Sequence, residues 1–222
     1  MTTFYLILIF IVAYLLGSFP TGYLVVKKFA GKDIREVGTG NVGAMNVSRA
    51  TGKASLFWLT VAVDVGKGAL AVWLAQNSGQ SLSVQALCGV VAVTGHNWSC
   101  FLKLAGGRGI GTLIGAFLVL SPKILGFSLI PLALLASIWN AAIGTILFLI
   151  TAIILAIYFG QLVTVGILPL VSLLPVFIKR LSPIKELSLK KKEIIRNRLL
   201  FDDDRPHFDL RIKKILKGLH KI

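Results

Sequence analysis

Seven apolar stretches, 4–26, 54–75, 82–100, 109–121, 124–138, 141–158 and 162–178, follow one another, and only the first connection, 27–53, is long. A helix needs about 20 apolar residues to cross the hydrocarbon of a bilayer, and ~17 is a practical minimum. Most of these stretches reach that range, and the pattern predicts an all-α integral membrane protein, a bundle of about seven transmembrane helices. The fourth and fifth stretches are short, with Pro122 between them; merged into one kinked helix over 109–138 they would leave six. Composition agrees with the class. Of the 222 residues 55% are hydrophobic and 15% charged, with a mean hydropathy of +0.82; a soluble domain is nearer half apolar and about a quarter charged. The first stretch has no basic segment before it and is too long for a signal-peptide core, so it is expected to stay as the first helix.

Charge orients the bundle. The net charge of +15 could suggest nucleic acid, but the basic residues are confined to the connections and the tail, where cytoplasmic loops carry them. Such charge beside a bilayer meets lipid headgroups, and no nucleic-acid partner is expected. Lys27, Lys28, Lys32, Arg35, Arg49 and Lys53 lie in the first connection, Lys103 and Arg108 in the third, and most of the rest after residue 178. The connections 76–81 and 159–161 carry no charge. Seven helices put every basic connection on one side, with the N-terminus outside, the C-terminus cytoplasmic and only Lys123 on the outer side. Six helices would place either the tail or the early basic connections outside, so charge favours seven. The chain then divides into a transmembrane domain, 1–180, and a basic tail, 181–222. In that tail "KKKEIIRNRLL" and "LRIKKILKGLHKI" mix basic residues with Ile and Leu at helical spacing. That pattern fits an amphipathic helix on an anionic membrane face, or a solvated tail.

Two connections on the expected cytoplasmic side have the make-up of binding loops. In "DIREVGTGNVGAMNVSR", Gly38, Gly40 and Gly43 let the backbone approach a ligand. Thr39, Asn41 and Asn46 add neutral hydrogen-bonding groups, and Arg49 adds a planar fork suited to phosphate or carboxylate. By composition alone this is either an anion cradle or a flexible turn. In "GHNWSCFLKLAGGRGIGT", Gly106, Gly107, Arg108 and Gly109 lead directly into an apolar segment. A glycine-rich turn before a helix N-terminus presents free N–H groups and the helix dipole to an anion. The spacing is not that of a nucleotide-binding P-loop.

His96, at the end of the third stretch, is a candidate for catalysis or for a structural hydrogen bond. No metal site is expected, since His207 and His220 lie far off in the tail and no carboxylates accompany His96. Asp64 and Lys67 stand one helical turn apart inside the second stretch, where charges are costly unless paired; a self-neutralising pair is expected. Cys88 and Cys100 match no metal or redox spacing and read as packing residues. No Ser-His-Asp set, nucleophile elbow or paired carboxylates accompany the loops. An enzyme built on them needs a substrate that arrives already activated.

These motifs, with "GSFPTGYLV" before them, "DVGKG" between them and "SLIPLALLASI" after them, resemble the PlsY-type acyl-phosphate:glycerol-3-phosphate acyltransferases of bacterial inner membranes. The likeness runs in order over about residues 4 to 180. It implies seven helices with an active site at the cytoplasmic side of the bacterial cytoplasmic (inner) membrane. It also implies transfer of an acyl group from acyl phosphate to glycerol 3-phosphate, giving lysophosphatidic acid and phosphate, with no cofactor. By the same resemblance Thr39, Arg49, His96 and Ser137 are catalytic. Gly38, Gly40, Asn41, Gly43, Asn46, Gly106, Gly107, Arg108 and Gly109 bind substrate.

The sequence also departs from the family pattern. Thr39 stands in place of serine and Arg108 in place of the usual lysine. Ser99 and Ala105 replace a usual proline and lysine. In "IIRNRLLFDDD" only Arg198, Leu199, Leu200 and Asp204 keep the third motif, and Ile195 holds its asparagine position. If that motif works as in the family, Arg198 and an acid fold back onto the Thr39 loop. Two other readings are a paralogue with another polyol phosphate or acyl donor, and a non-catalytic transporter or sensor of a phosphorylated metabolite. The oligomeric state is left open, a monomer included.

Overall fold

A computed structural model describes residues 3–182 and 192–202, and in these every regular element is helical. The first apolar stretch forms two helices. Helix α1 covers Thr3–Ser18 and α2 covers Thr21–Ala30. Pro20 explains the break: it donates no backbone N–H, and it disfavours helical backbone at the residue before it. Helix α2 ends where Gly31 takes a left-handed φ of 66° and its N–H donates to the Lys27 carbonyl at 3.2 Å.

The first connection holds a further helix, α3 (Ala44–Thr51), capped by Gly52 at φ 68°. Then follow α4 (Ala54–Asn77), α5 (Leu82–Asn97), α6 (Ile110–Leu120), α7 (Pro122–Ile138), α8 (Ala141–Tyr158), α9 (Ile167–Arg180) and α10 (Lys192–Phe201). The span Thr3–Ala30 and the helices α4 and α8 are long and apolar enough to cross a membrane, and α6 and α7 are shorter apolar helices. The fold is that of an all-α integral membrane protein. Helix α6, with 11 residues, is about 17 Å long at ~1.5 Å per residue. Helices α6 and α7 are separate: Ser121 between them is extended (φ −159°, ψ 85°), and Pro122 opens α7, the first-turn position that proline tolerates best. The last apolar stretch starts later than its hydropathy suggests, because a turn around Gln161–Gly166 precedes α9.

Small residues bring the helices together. A side chain at Gly17 would overlap the Ala92 backbone, and one at Gly95 the Tyr14 carbonyl, so α1 lies directly on α5. Gly68 and Gly115 do the same for α4 and α6, against Thr112 and Val65. Without a hydrophobic drive between helices in lipid, such close backbone approach is what holds a bundle. The main core gathers Val72, Val93, Leu113, Phe117, Phe148 and Leu168. The Phe117 and Phe148 rings meet edge to face at 5.7 Å and 88°, a favoured aromatic geometry. Cys88 is buried beside Ala71 and Ala92, whereas Cys100 is exposed, contrary to its expected packing role, because it opens a short 3-10 turn at the loop surface.

Helix α10 packs on α8 and α9, with Asn197, Arg198 and Phe201 buried. The second basic segment of the tail, 210–222, lies outside the described residues.

Candidate active site

The first glycine loop is built around Asn46. Its side-chain nitrogen donates to three backbone carbonyls, Ile34 at 3.2 Å, Val37 at 2.8 Å and Asn41 at 2.9 Å. The loop is thereby gathered onto the first turn of α3. Gly38 and Gly40 have φ of 57° and 67°, the left-handed region where glycine costs least. A β-carbon at Gly38 would come within 2.5 Å of Asn46 Oδ1. Asn41 Oδ1 accepts from the Gly43 N–H at 3.1 Å, closing the turn into α3. Thr39 and Arg49 are exposed above this frame. Arg49 sits on α3 rather than in a loop, beside Gly38. Before the loop, Asp33 pairs with Arg35 at 2.6 Å, and the Arg35 guanidinium holds the Asp33 carboxyl down at about 2. That acid is therefore neutralised by its own neighbour and leaves Arg49 unopposed.

The second loop is pinned from below. The Gly107 N–H donates to the His96 carbonyl at 3.1 Å, and the Ser99 N–H donates to the Ala105 carbonyl at 3.2 Å. A side chain at Gly107 would overlap His96 Nε2, so the imidazole lies directly beneath the glycines. Gly109, at φ 79°, begins α6, and the Leu113 N–H donates to its carbonyl at 2.8 Å. The Val42 N–H donates to the Gly106 carbonyl at 3.3 Å, which joins the two glycine loops.

Beneath the loops lies a buried ionic cluster. Lys67 Nζ is 2.9 Å from Asp64 Oδ1 and donates to the Phe19 carbonyl at 3.1 Å, a group freed by the α1–α2 break. The Thr21 hydroxyl donates to Asp64 at 3.1 Å, and His96 Nδ1 stands 3.6 Å from the same oxygen. The expected Asp64–Lys67 pair is present, and it also ties α4 to the helix break and to the base of the second loop. Thr21 and the Phe19 carbonyl were not foreseen; the signal for them is the proline between them. Breaking a buried pair by removing one partner typically costs about 3–5 kcal/mol. Lys67→Met is expected to lower stability by about 3 kcal/mol on that basis, and adding Asp64→Asn should recover most of it. Thermal unfolding in detergent checks this; an unchanged midpoint in Lys67→Met would contradict a structural role for the pair.

Arg108 is not free. Its Nε meets the Asp202 carboxylate at 2.8 and 3.0 Å, and its Nη1 donates to the Lys179 carbonyl. Arg198, expected to reach the Thr39 loop, instead donates to the Leu181 carbonyl at 3.2 Å. The acid that folds back is Asp202, and it meets the second loop. The reason is local: Arg198 lies on the face of α10 buried against the protein, while Asp202 follows the helix end. Asp204 lies outside the described residues. Ser137, near the end of α7, is exposed and donates to the Ala133 carbonyl of its own helix at 2.8 Å, so its hydroxyl is spent within α7 and is not drawn to either loop. Among the described residues no group of three or more His, Cys, Asp or Glu could hold a metal ion.

An apolar groove of about 510 Å³ opens between α1 and α4, lined by Leu15, Leu16, Phe19, Val63, Leu70 and Phe101 among others. Phe19 and Lys67 line both this groove and the polar space under the second loop.

Comparison with known proteins gives a consistent answer. The glycerol-3-phosphate acyltransferase family model matches residues 7–189. A glycerol-3-phosphate acyltransferase of Prochlorococcus marinus (strain MIT 9312) is 40% identical over 147 residues, 64% of this chain and 74% of that protein. Glycerol-3-phosphate acyltransferase 2 of Moorella thermoacetica is 42% identical over 156 residues, 70% of this chain and 79% of its own. A crystal structure of PlsY (YgiH), an integral membrane glycerol 3-phosphate acyltransferase, in its glycerol 3-phosphate form superposes with a TM-score of 0.73 at 28% identity, covering 96% of this chain and 98% of the other. Its lysophosphatidic acid form gives a TM-score of 0.72.

Proposed function

This chain belongs to the glycerol-3-phosphate acyltransferase family, and from that premise we propose that it acylates glycerol 3-phosphate with an acyl phosphate as donor, releasing lysophosphatidic acid and phosphate. The observation that carries the reading is the bond from Val42 to Gly106. It makes one site of two glycine loops, each beside an arginine, and the mouth of an apolar groove adjoins their base.

The chemistry asks little of the protein beyond placement. Acyl phosphate is a mixed anhydride. The glycerol hydroxyl oxygen attacks the carbonyl carbon, the bond from that carbon to the phosphate oxygen breaks, and the departing phosphate takes the hydroxyl proton. The protein holds two anions and aligns the reacting atoms, a task of proximity and charge. In this assignment Arg49 clamps a substrate phosphate with its planar fork. Thr39 and the Gly38, Gly40, Asn41 and Gly43 backbone line the first cradle, and Asn46 holds that cradle in shape. Gly106, Gly107 and Gly109 bring the backbone close to the second phosphate, with Arg108 supplying charge. His96, under Gly107 and beside Asp64, supports the loop from below, and Ser137, near the end of α7, is assigned from the family resemblance of its stretch alone.

The acyl chain lies in the α1–α4 groove. Gly66 lines that groove, and a β-carbon there would meet nothing within 4 Å. Gly66→Phe puts a ring on the groove wall and is expected to reduce turnover of palmitoyl phosphate several-fold while sparing octanoyl phosphate. Equal losses with both donors would mean the chain lies elsewhere.

In this reading the basic connections set the orientation, with the site facing the cytoplasm of the bacterial inner membrane. The donor assignment is tested by supplying acyl phosphate, acyl-coenzyme A and acyl carrier protein thioesters in parallel with glycerol 3-phosphate. Turnover with acyl phosphate alone is expected; preference for a thioester would overturn the donor.

A further inference from the structure

We propose that Asp202 is a positioning residue for Arg108: it holds one edge of the guanidinium so that another edge is presented to the phosphate of glycerol 3-phosphate. This rests on the function proposed above. A guanidinium has five N–H donors in a fixed plane. Asp202 takes Nε, at 2.8 Å to Oδ1 and 3.0 Å to Oδ2, and the Lys179 carbonyl takes Nη1. Nη2 is left for another acceptor. Two partners from different parts of the chain thus fix the plane of a side chain that projects from the glycine loop.

The carboxylate comes from a built platform. Arg180 ties α10 down by donating to the Leu199 carbonyl at 2.6 Å, and its other nitrogen donates to the Ala142 carbonyl at 2.8 Å. Arg198 donates back to the Leu181 carbonyl at 3.2 Å. Phe201, just before the carboxylate, is buried. Asp202 itself takes φ 55° while its N–H still donates to the Arg198 carbonyl at 3.0 Å. That left-handed backbone is one Asp tolerates better than most residues, and it turns the chain off the helix at the point where the carboxylate meets Arg108. A carboxylate delivered this firmly is suited to aiming the arginine and poorly suited to yielding its place to a substrate.

The role also calls for arginine. A lysine at 108 is a compact point charge without a planar fork, and it could not be aimed along one edge while presenting another. Asp202 should therefore matter to Arg108 and lose its effect on Arg108→Lys.

The test uses the full-length protein and reads glycerol 3-phosphate binding by calorimetry beside KM and kcat. Asp202→Ala is expected to weaken Kd and KM for glycerol 3-phosphate about tenfold, the scale of one charge-assisted contact. The KM for acyl phosphate, kcat and the unfolding midpoint should change little. Asp202→Asn, which keeps an acceptor oxygen, should lose less. In an Arg108→Lys background Asp202→Ala should cost nothing further. Unchanged or tighter binding in Asp202→Ala would overturn the proposal, the latter marking the carboxylate as an occupant of the site. An equal loss in both backgrounds, or a parallel fall in stability and in affinity for both substrates, would overturn it too. Wild-type protein that binds glycerol 3-phosphate without turning it over removes the proposed function and leaves the Asp202 result standing. Wild-type protein that binds none removes both.

Discussion

Arg49→Ala is expected to lower kcat/KM for acyl transfer by about 10²–10³-fold, the loss seen when one preorganised donor to a developing or transferring charge is removed. Stability should hardly change. Arg49 is exposed at the end of α3 and makes no hydrogen bond or ion pair among the described residues, and surface substitutions of that kind stay within about 0.5 kcal/mol. The frame beneath it is independent, since the loop is shaped by Asn46 and its three carbonyls. Steady-state rates beside a thermal melt check both halves. Near-normal turnover would remove Arg49 from the site, and a large drop in melting temperature would give it a structural role instead.

The second large effect concerns the glycines of the other loop. At Gly106 a β-carbon would overlap the His96 and Asn97 carbonyls, which are backbone and cannot move aside. At Gly107 it would overlap the edge of the His96 ring. Gly106→Ala should therefore cost about 1–3 kcal/mol of stability, as overpacking does. It should also break the Val42–Gly106 link and separate the loops, lowering turnover about 100-fold, since a 1 Å misplacement suffices for that. Gly107→Ala should spare stability more, because an imidazole can tilt, while costing activity on a similar scale. Gly126→Ala in α7, where a β-carbon meets nothing within 4 Å, is the control, with activity unchanged and stability equal or improved. Melting temperature and initial rate for the three variants separate these outcomes. A Gly106→Ala protein as stable and active as the control would contradict the packing described here.

The class of fold was legible because lipid leaves the backbone few choices. Runs of apolar residues had to be helices, and every expected stretch is largely helical, the first as two helices, α1 and α2. What hydropathy could not reveal was interruption by backbone chemistry. Phe19 and Pro20 read as one oily run, yet the proline splits it and frees the carbonyl that Lys67 then occupies. Helix α3 was hidden because its eight residues are too few and too polar to register as a periodic segment.

The residue types of the loops were readable from glycine spacing and charge, but their division of labour was not. Asn46 looked like a ligand group, and it spends its amide on three carbonyls that lie 5 to 12 residues away in sequence. His96 read as a candidate for catalysis or for a structural hydrogen bond, and its position under Gly107 is set by the meeting of α4 and α5 with the loop. Asp202 and Arg108 are separated by 94 residues, and only the docking of α10 across α8 and α9 brings them into contact.

The central claim is that two joined glycine loops place glycerol 3-phosphate against an acyl phosphate. Its most direct test is to incubate the purified protein with palmitoyl phosphate and labelled glycerol 3-phosphate and to follow label into lipid. The account predicts labelled lysophosphatidic acid with one phosphate released per acyl group transferred. Labelled lipid absent while the protein remains folded would contradict it.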